Sequence, residues 1–105
     1  MKDKEILEWA KERGILNPEF VNKQFMKVIE ETGELAKSII KDDKEQQKDD
    51  LGDMYITIVI LAEQLGHDLD RCIYEAFNTI KNRKGKLVDG SFIKEEDYIN
   101  CKTIK

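Results

Sequence analysis

Residues 50–62 read D-L-G-D-M-Y-I-T-I-V-I-L-A. Read as part of a helix running from about Asp43 to Leu65, the stretch from Met54 to Ala62 is apolar almost all round. Such a helix must be covered on most sides. A 105-residue chain offers only three further helices to do so. The expectation is a third helix at the centre of an oligomer, most simply a dimer. The other arrangement open to it is a central helix covered within one subunit. The first half of the stretch carries acids on the same faces. Asp50 continues the stripe of Met54, Thr57 and Leu61, and Asp53 continues that of Ile60. Both carboxylates should therefore be at least partly buried. A buried carboxylate without a partner is costly. No lysine lies nearby on either stripe, so a cation is the natural partner.

Working outward, local signals delimit the other elements. A first helix is expected over 3–13, with Ile6, Leu7 and Ala10 at helical spacing and Gly14 as its stop. Asn17-Pro18-Glu19 reads as a helix start, with Asn as N-cap, Pro in the first turn and an acid behind it. That second helix continues to about Lys41, and Val21, Phe25, Val28, Ala36 and Ile39 mark its apolar face. Asp42-Asp43 breaks it, and Asp43 can cap the third helix over 43–65, which Gly66 ends. A fourth helix, capped by Asp68, is expected over 69–84 with Gly85 as its stop. Leu87 to Ile93 reads as a small hairpin turning at Asp89-Gly90, within a tail over 86–105 that is otherwise irregular or a short helical turn. The reading is one all-α domain, an antiparallel four-helix core with a short C-terminal hairpin or irregular tail.

Composition narrows the function. Charged residues make up 38% of the chain and there is one proline, which suits a helix-rich protein. The net charge of −4 gives no overall attraction to nucleic acid or anionic lipid. Cys72 and Cys101 lack CxxC spacing and read as reduced thiols of a cytoplasmic protein, a disulfide being the less favoured reading. The N-terminal MKDKEILEWAKE has no apolar signal-peptide core, and the run from Met54 to Ala62 is too short to span a bilayer.

Folding the second and third helices together at Asp42 makes the acids meet. Glu30, Glu31 and Glu34 share one arc of the second helix, together with Lys23, Lys27 and Lys41, so a solvated face is a competing reading. However, Glu34 mirrors Asp50 about position 42, and Glu31 mirrors Asp53 about the same position. Four carboxylates can thus meet across an antiparallel helix pair. Gly33 and Gly52 fall at nearly equal heights, and each costs about 1 kcal/mol in a helix interior. A close approach of the two backbones beside the site is the expected compensation. An all-carboxylate site suits a hard cation, Mg2+ or Mn2+. Di-iron bundles need two Glu-x-x-His motifs, whereas His67, the one histidine, is expected in a surface loop.

Lys81-Asn82-Arg83-Lys84-Gly85-Lys86 puts four cations in six residues of an acidic protein. It reads either as a helix C-terminus carrying dipole-matched cations or as a phosphate clamp, with Asn78 on the same stripe as Lys81.

Taken together, these segments resemble the all-α nucleoside triphosphate pyrophosphohydrolases of the MazG type. The resemblance rests on Glu30-Glu31-x-x-Glu34, Asp50-x-x-Asp53, GDMYITIVILAEQLG, NTIKNRKGK and VDGSFIKEE, stretches similar to short bacterial and phage MazG-like proteins. It implies a helical bundle that dimerises or tetramerises. The activity implied is Mg2+-dependent hydrolysis of a (d)NTP to the monophosphate and pyrophosphate, in nucleotide-pool house-cleaning or in depletion of a normal pool. Carried over by position, Glu31, Glu34, Asp50 and Asp53 would hold the metal, and Glu30 would orient or deprotonate the attacking water. Lys81, Arg83, Lys84 and Asn78 would bind phosphates. One departure is Asp50, where the family pattern has glutamate, and Asp49 is its possible substitute. A base could stack on Trp9, Phe25, Tyr55, Tyr74 or Phe92, although each is more often core at helical spacing. Phosphoribosyl-ATP pyrophosphohydrolase, in the same superfamily, fits the tail less well. The reading from a different class is a non-catalytic helical dimer that binds metal or nucleotide as a sensor or interaction module.

Overall fold

The computed structural model describes residues 2–97. The chain divides into two compact units, Met1–Leu69 and Asp70–Lys105. The first contains α1 (Lys2–Glu12), a 3-10 turn (Pro18–Phe20), α2 (Val21–Ile40) and α3 (Lys44–Gln64). The second is built on α4 (Leu69–Ile80), β1 (Gly85–Val88) and β2 (Ser91–Lys94). The described residues are mostly helical with one small antiparallel sheet, as expected.

The three helices of the first unit end in the same way. A residue in the left-handed region follows each: Gly14 (φ 70), Asp42 (φ 54) and Gly66 (φ 80). The next amide then reaches back into the last turn, from Ile15 N to Ala10 O (3.0 Å), Asp43 N to Ser38 O (3.0 Å) and His67 N to Ala62 O (2.9 Å). These bonds satisfy carbonyls that a helix end otherwise strands. Two of the three positions are glycine. At the third, aspartate is among the few side chains that tolerate the conformation. The turn between α2 and α3 is thereby held to three residues.

The helix starts are also local. Asn17 Oδ1 accepts from Glu19 N at 2.9 Å, as its N-cap role requires, but it opens the 3-10 turn rather than α2 itself. Phe20 (φ −95, ψ 10) interrupts the spiral, so α2 begins at Val21 and not at Pro18. Asp43 caps α3, its Oδ1 accepting from Gln46 N at 3.1 Å.

α2 and α3 run antiparallel, tied across their seam by two side-chain amides. Gln47 Nε2 donates to Ser38 O (3.2 Å) near the turn, and Gln24 Nε2 donates to Thr57 O (3.1 Å) further along. α1 packs on α3 through the fully buried Ala10. Tyr55 Oη donates to Asp3 Oδ1 (2.6 Å), and Gln64 Nε2 donates to Ile15 O (2.8 Å). Val59, Ile60 and Ala62 complete the buried apolar core.

The inward face of α2 differs from the expected one. Val21 and Val28 do turn inward, but they share their stripe with Gln24, Glu31, Leu35 and Ser38. Phe25, Ala36 and Ile39 are exposed, as are Met26, Ile29 and Ile40. The polar seam is tolerable because its members are bonded: Gln24 to Thr57, and Ser38 Oγ to Leu35 O at 2.9 Å. The expected backbone approach at the glycines is absent too. A Cβ at Gly33 or Gly52 would meet nothing within 4 Å.

In the second unit α4 stops at Ile80, short of the expected residue 84. Lys81 N bonds Phe77 O (2.8 Å) and Arg83 N bonds Ile80 O (2.9 Å), closing a turn. Gly85 therefore opens β1 instead of ending the helix. A side chain there would collide with Ile93 O and with the Phe92 ring that covers it. The hairpin turns where expected. Asp89 (φ 50) and Gly90 (φ 82) both have positive φ, the signature of a two-residue type I′ turn, and Val88 pairs with Ser91. Residues 95–97 form a helical turn. The rest of the expected tail, with Cys101, lies outside the described residues. Cys72 is free and exposed, and His67 is exposed. Among the described residues no helix is long and apolar enough to cross a membrane.

Candidate metal centre

The short turn at Asp42 sets α2 and α3 in register, and the register brings three acids together. Glu31, Asp50 and Asp53 each offer a carboxylate oxygen within 4.8 Å of the others. Glu31 comes from the seam of α2, and Asp50 and Asp53 come from the second and third turns of α3. Asp50 is the most deeply placed, only 2% exposed, while Glu31 and Asp53 are half-buried. Burial of Asp50 follows from its stripe: Met54, Thr57 and Leu61 are all partly covered along with it.

The electrostatics are unfavourable as the acids stand. Partial burial pushes the Glu31 carboxyl above its ordinary range, and Asp53, Asp50, Glu34 and Glu30 push it further. Burial also raises Asp53, with Asp49 and then Asp50 adding to the effect. No lysine or arginine bridges any of the three among the described ion pairs. Asp50 Oδ1 accepts from Gln46 Nε2 at 2.9 Å, whereas its Oδ2 is buried without a hydrogen-bond partner. An orphaned, buried carboxylate oxygen beside two further carboxylates is the donor set of a hard divalent cation. The residues present therefore fit a divalent cation.

Not every sequence-derived candidate joins this trio. Glu34 is more than half exposed, and its Oε1 lies 3.9 Å from Lys37 Nζ, one turn along its own helix. It remains close enough to act on Glu31. Glu30 is exposed on α2 next to the trio, and Asp49 is exposed on α3. Asn78, Lys81, Arg83 and Lys84 belong to the second unit. Asn78 is half-buried on α4, and the three cations are exposed in the turn that follows. Arg83 and Lys84 line a cleft with Asn82, Lys94, Glu95 and Glu96. Of the aromatic candidates, Trp9 and Tyr55 each border a mostly apolar groove, and the two grooves share Glu5, Ile6 and Ile56. Gln46 escaped the sequence reading. Its only signal is position, one turn before Asp50, where Gln and Asp side chains can bond along a helix.

Comparison with known proteins places this hairpin in a family. The model of the MazG-like family matches residues 23–98. A relative from Haemophilus phage HP1 (strain HP1c1), described as an uncharacterized 18.2 kDa protein in the rep-hol intergenic region, is 39% identical over 61 residues. That match covers 58% of this chain and 37% of the phage protein, so the chain spans little more than a third of that relative. No solved structure matches. The matched span contains the acids of α2, the whole of α3 and α4 and the strand hairpin, and the chain belongs to the MazG-like family.

Proposed function

We propose that the chain is a Mg2+-dependent nucleoside triphosphate pyrophosphohydrolase, hydrolysing a (d)NTP to the nucleoside monophosphate and pyrophosphate. The observation that carries the reading is Asp50 Oδ2, buried and unbonded beside Glu31 and Asp53. Membership of the MazG-like family supports the reaction class. Glu31, Asp50 and Asp53 hold the cation. Glu34 joins them by releasing Lys37, an exposed pair that costs little to break. When bound, Mg2+, or Mn2+ in its place, would supply charge neutralisation at the triphosphate and lower the pKa of a water. Glu30, exposed beside the trio, takes a proton from the attacking water. Asn78, Lys81, Arg83 and Lys84 bind phosphate oxygens. Cleavage of the bridge between the α- and β-phosphorus atoms gives the two products, consistent with clearing unwanted nucleotides from the pool. The test is pyrophosphate release from a panel of (d)NTPs with Mg2+ or Mn2+. Wild type turns over at least one, and Asp53→Asn and Glu31→Ala do not. Metal-dependent triphosphate binding without turnover on a broad panel favours the non-catalytic binding module instead.

We also propose that the chain works as a homo-oligomer through α3 and its neighbours. Tyr55 and Ile56 of α3 are each 37% exposed and Trp9 of α1 is 47% exposed, lining two grooves that share Glu5, Ile6 and Ile56. An apolar patch of this kind is usually covered. Light scattering at micromolar concentration should give at least twice the monomer mass of 12.3 kDa, and Ile56→Glu should reduce it. A strictly monomeric wild type overturns the proposal.

A further inference from the structure

Gln46 stands outside the acid trio, yet its side chain is committed to it. It occupies the third position of α3, where a glutamine ordinarily reaches back to the amide of the capping residue. Here that amide is already taken, because Asp43 N bonds Ser38 O in the turn. Gln46 N itself is held by the cap, donating to Asp43 Oδ1 at 3.1 Å. The side chain is therefore released to run forward, and Nε2 donates to Asp50 Oδ1 at 2.9 Å. Asp50 consequently presents two unlike oxygens. Oδ1 is occupied by an amide, and Oδ2 is buried and unbonded.

This asymmetry has a consequence for metal choice. A carboxylate that chelates through both oxygens suits Ca2+, which takes six to eight ligands in a flexible shell. Mg2+ and Mn2+ are smaller, and Mg2+ demands an octahedron that one-oxygen carboxylates fill best. We propose that Gln46 is a positioning residue that sets metal selectivity: by occupying Oδ1 it restricts Asp50 to one-oxygen coordination through Oδ2, favouring Mg2+ and Mn2+ over Ca2+. The inference rests on the proposed metal-binding role of Glu31, Asp50 and Asp53.

The experiment measures binding, independent of turnover. Free Mn2+ is counted by electron paramagnetic resonance during titration of the intact chain, and Ca2+ is then added as competitor. The variants are Gln46→Met, which keeps length and helix preference but has no donor, and Gln46→Ala. Outer-shell partners typically influence metal affinity by 10–100-fold. The expected result is that the ratio of Ca2+ to Mn2+ dissociation constants falls about tenfold in both variants. A structural role alone would weaken both ions alike and leave the ratio unchanged, and that outcome overturns the inference even if Mn2+ affinity drops. If wild type takes up no Mn2+, the metal-site reading itself fails and this inference falls with it. Uptake by wild type with an unchanged ratio in the variants refutes only the role of Gln46. Circular dichroism of each variant establishes that the helices are intact, and either variant alone suffices for the ratio.

Discussion

Asp50→Asn should make the metal-free protein more stable while removing its response to metal. Asp50 is 2% exposed, makes one side-chain hydrogen bond and leaves Oδ2 unbonded near two other carboxylates. Asparagine has the same shape. Its oxygen can keep the 2.9 Å bond from Gln46, and its amide then faces Glu31 and Asp53 as a donor. An unsatisfied buried polar group costs about 1–3 kcal/mol, and more when charged. Relief of that cost is the expected gain in chelator. For a domain near 100 residues each kcal/mol moves the melting temperature by about 4–8 °C, so a rise of about 4–24 °C is expected. Wild type behaves in the opposite sense. At a hundredfold excess of Mg2+ over its dissociation constant it should gain about 2.7 kcal/mol, and the variant should gain almost nothing. The assay is thermal unfolding by circular dichroism in EDTA and in Mg2+, with exposed Glu63→Gln as control, expected within about 0.5 kcal/mol of wild type. An Asp50→Asn protein that melts below wild type in EDTA refutes the reasoning. So does a Mg2+ shift equal in both proteins.

Three further outcomes follow from the same geometry. Glu31 and Asp53 are raised in the folded state above their ordinary values of 4.5 and 3.8, so the folded chain holds those protons more tightly than the unfolded chain. Their contribution is complete below those values and is lost as pH rises through the raised range. Urea titrations in EDTA should therefore show a decline with rising pH that Glu31→Gln/Asp53→Asn flattens; equal pH dependence in the two proteins contradicts it. Gly33→Ala and Gly52→Ala, where a new methyl meets nothing, should each add about 1 kcal/mol of stability, read as a higher urea midpoint, and a lower midpoint would show that something approaches those backbones. Asp42→Gly relieves the φ 54 backbone and gives up only the exposed pair with Lys44 (3.0 Å); a gain of about 0.5–1 kcal/mol is expected by the same assay, and a loss would mean that the left-handed conformation costs aspartate nothing.

What was legible in the sequence is what is decided locally. Gly14, Gly66, Asp43 and the Asp89-Gly90 turn each act through their own backbone, so the elements begin or end near them. Where a local signal was misplaced, a neighbour overrode it. Gly85 reads as a helix stop, but it is required under the Phe92 ring, and the helix had already closed at Lys81. The face of α2 was not legible. Periodicity weighs apolar residues, and the stripe containing Phe25 and Ile39 is the more apolar one, whereas the buried stripe is held by hydrogen bonds to α3. The acids were legible because a three-residue turn makes mirror positions meet, which placed Glu31 with Asp50 and Asp53. Glu34 has the right height, but its carboxylate runs along its own helix to Lys37, a rotamer choice that spacing cannot reveal.

The polar seam of α2 makes sense as a register device. Apolar side chains slide past one another at modest cost, whereas a side-chain amide aimed at one carbonyl does not. The two cross-helix amides, Gln47 to Ser38 and Gln24 to Thr57, lie on either side of the acids along the hairpin. A slip of α3 by one residue would break both and turn Asp50 off the seam. A site built from short carboxylates needs its supports fixed to within a fraction of an ångström. Placing glutamine and serine where leucine would bury more surface gives up core energy and leaves Phe25, Ile29 and Ile39 outside. The same choice brings Glu31 to Asp50 and Asp53, and the short turn at Asp42, closed by Asp43 N on Ser38 O, leaves the side-chain amide of Gln46 free to hold Asp50.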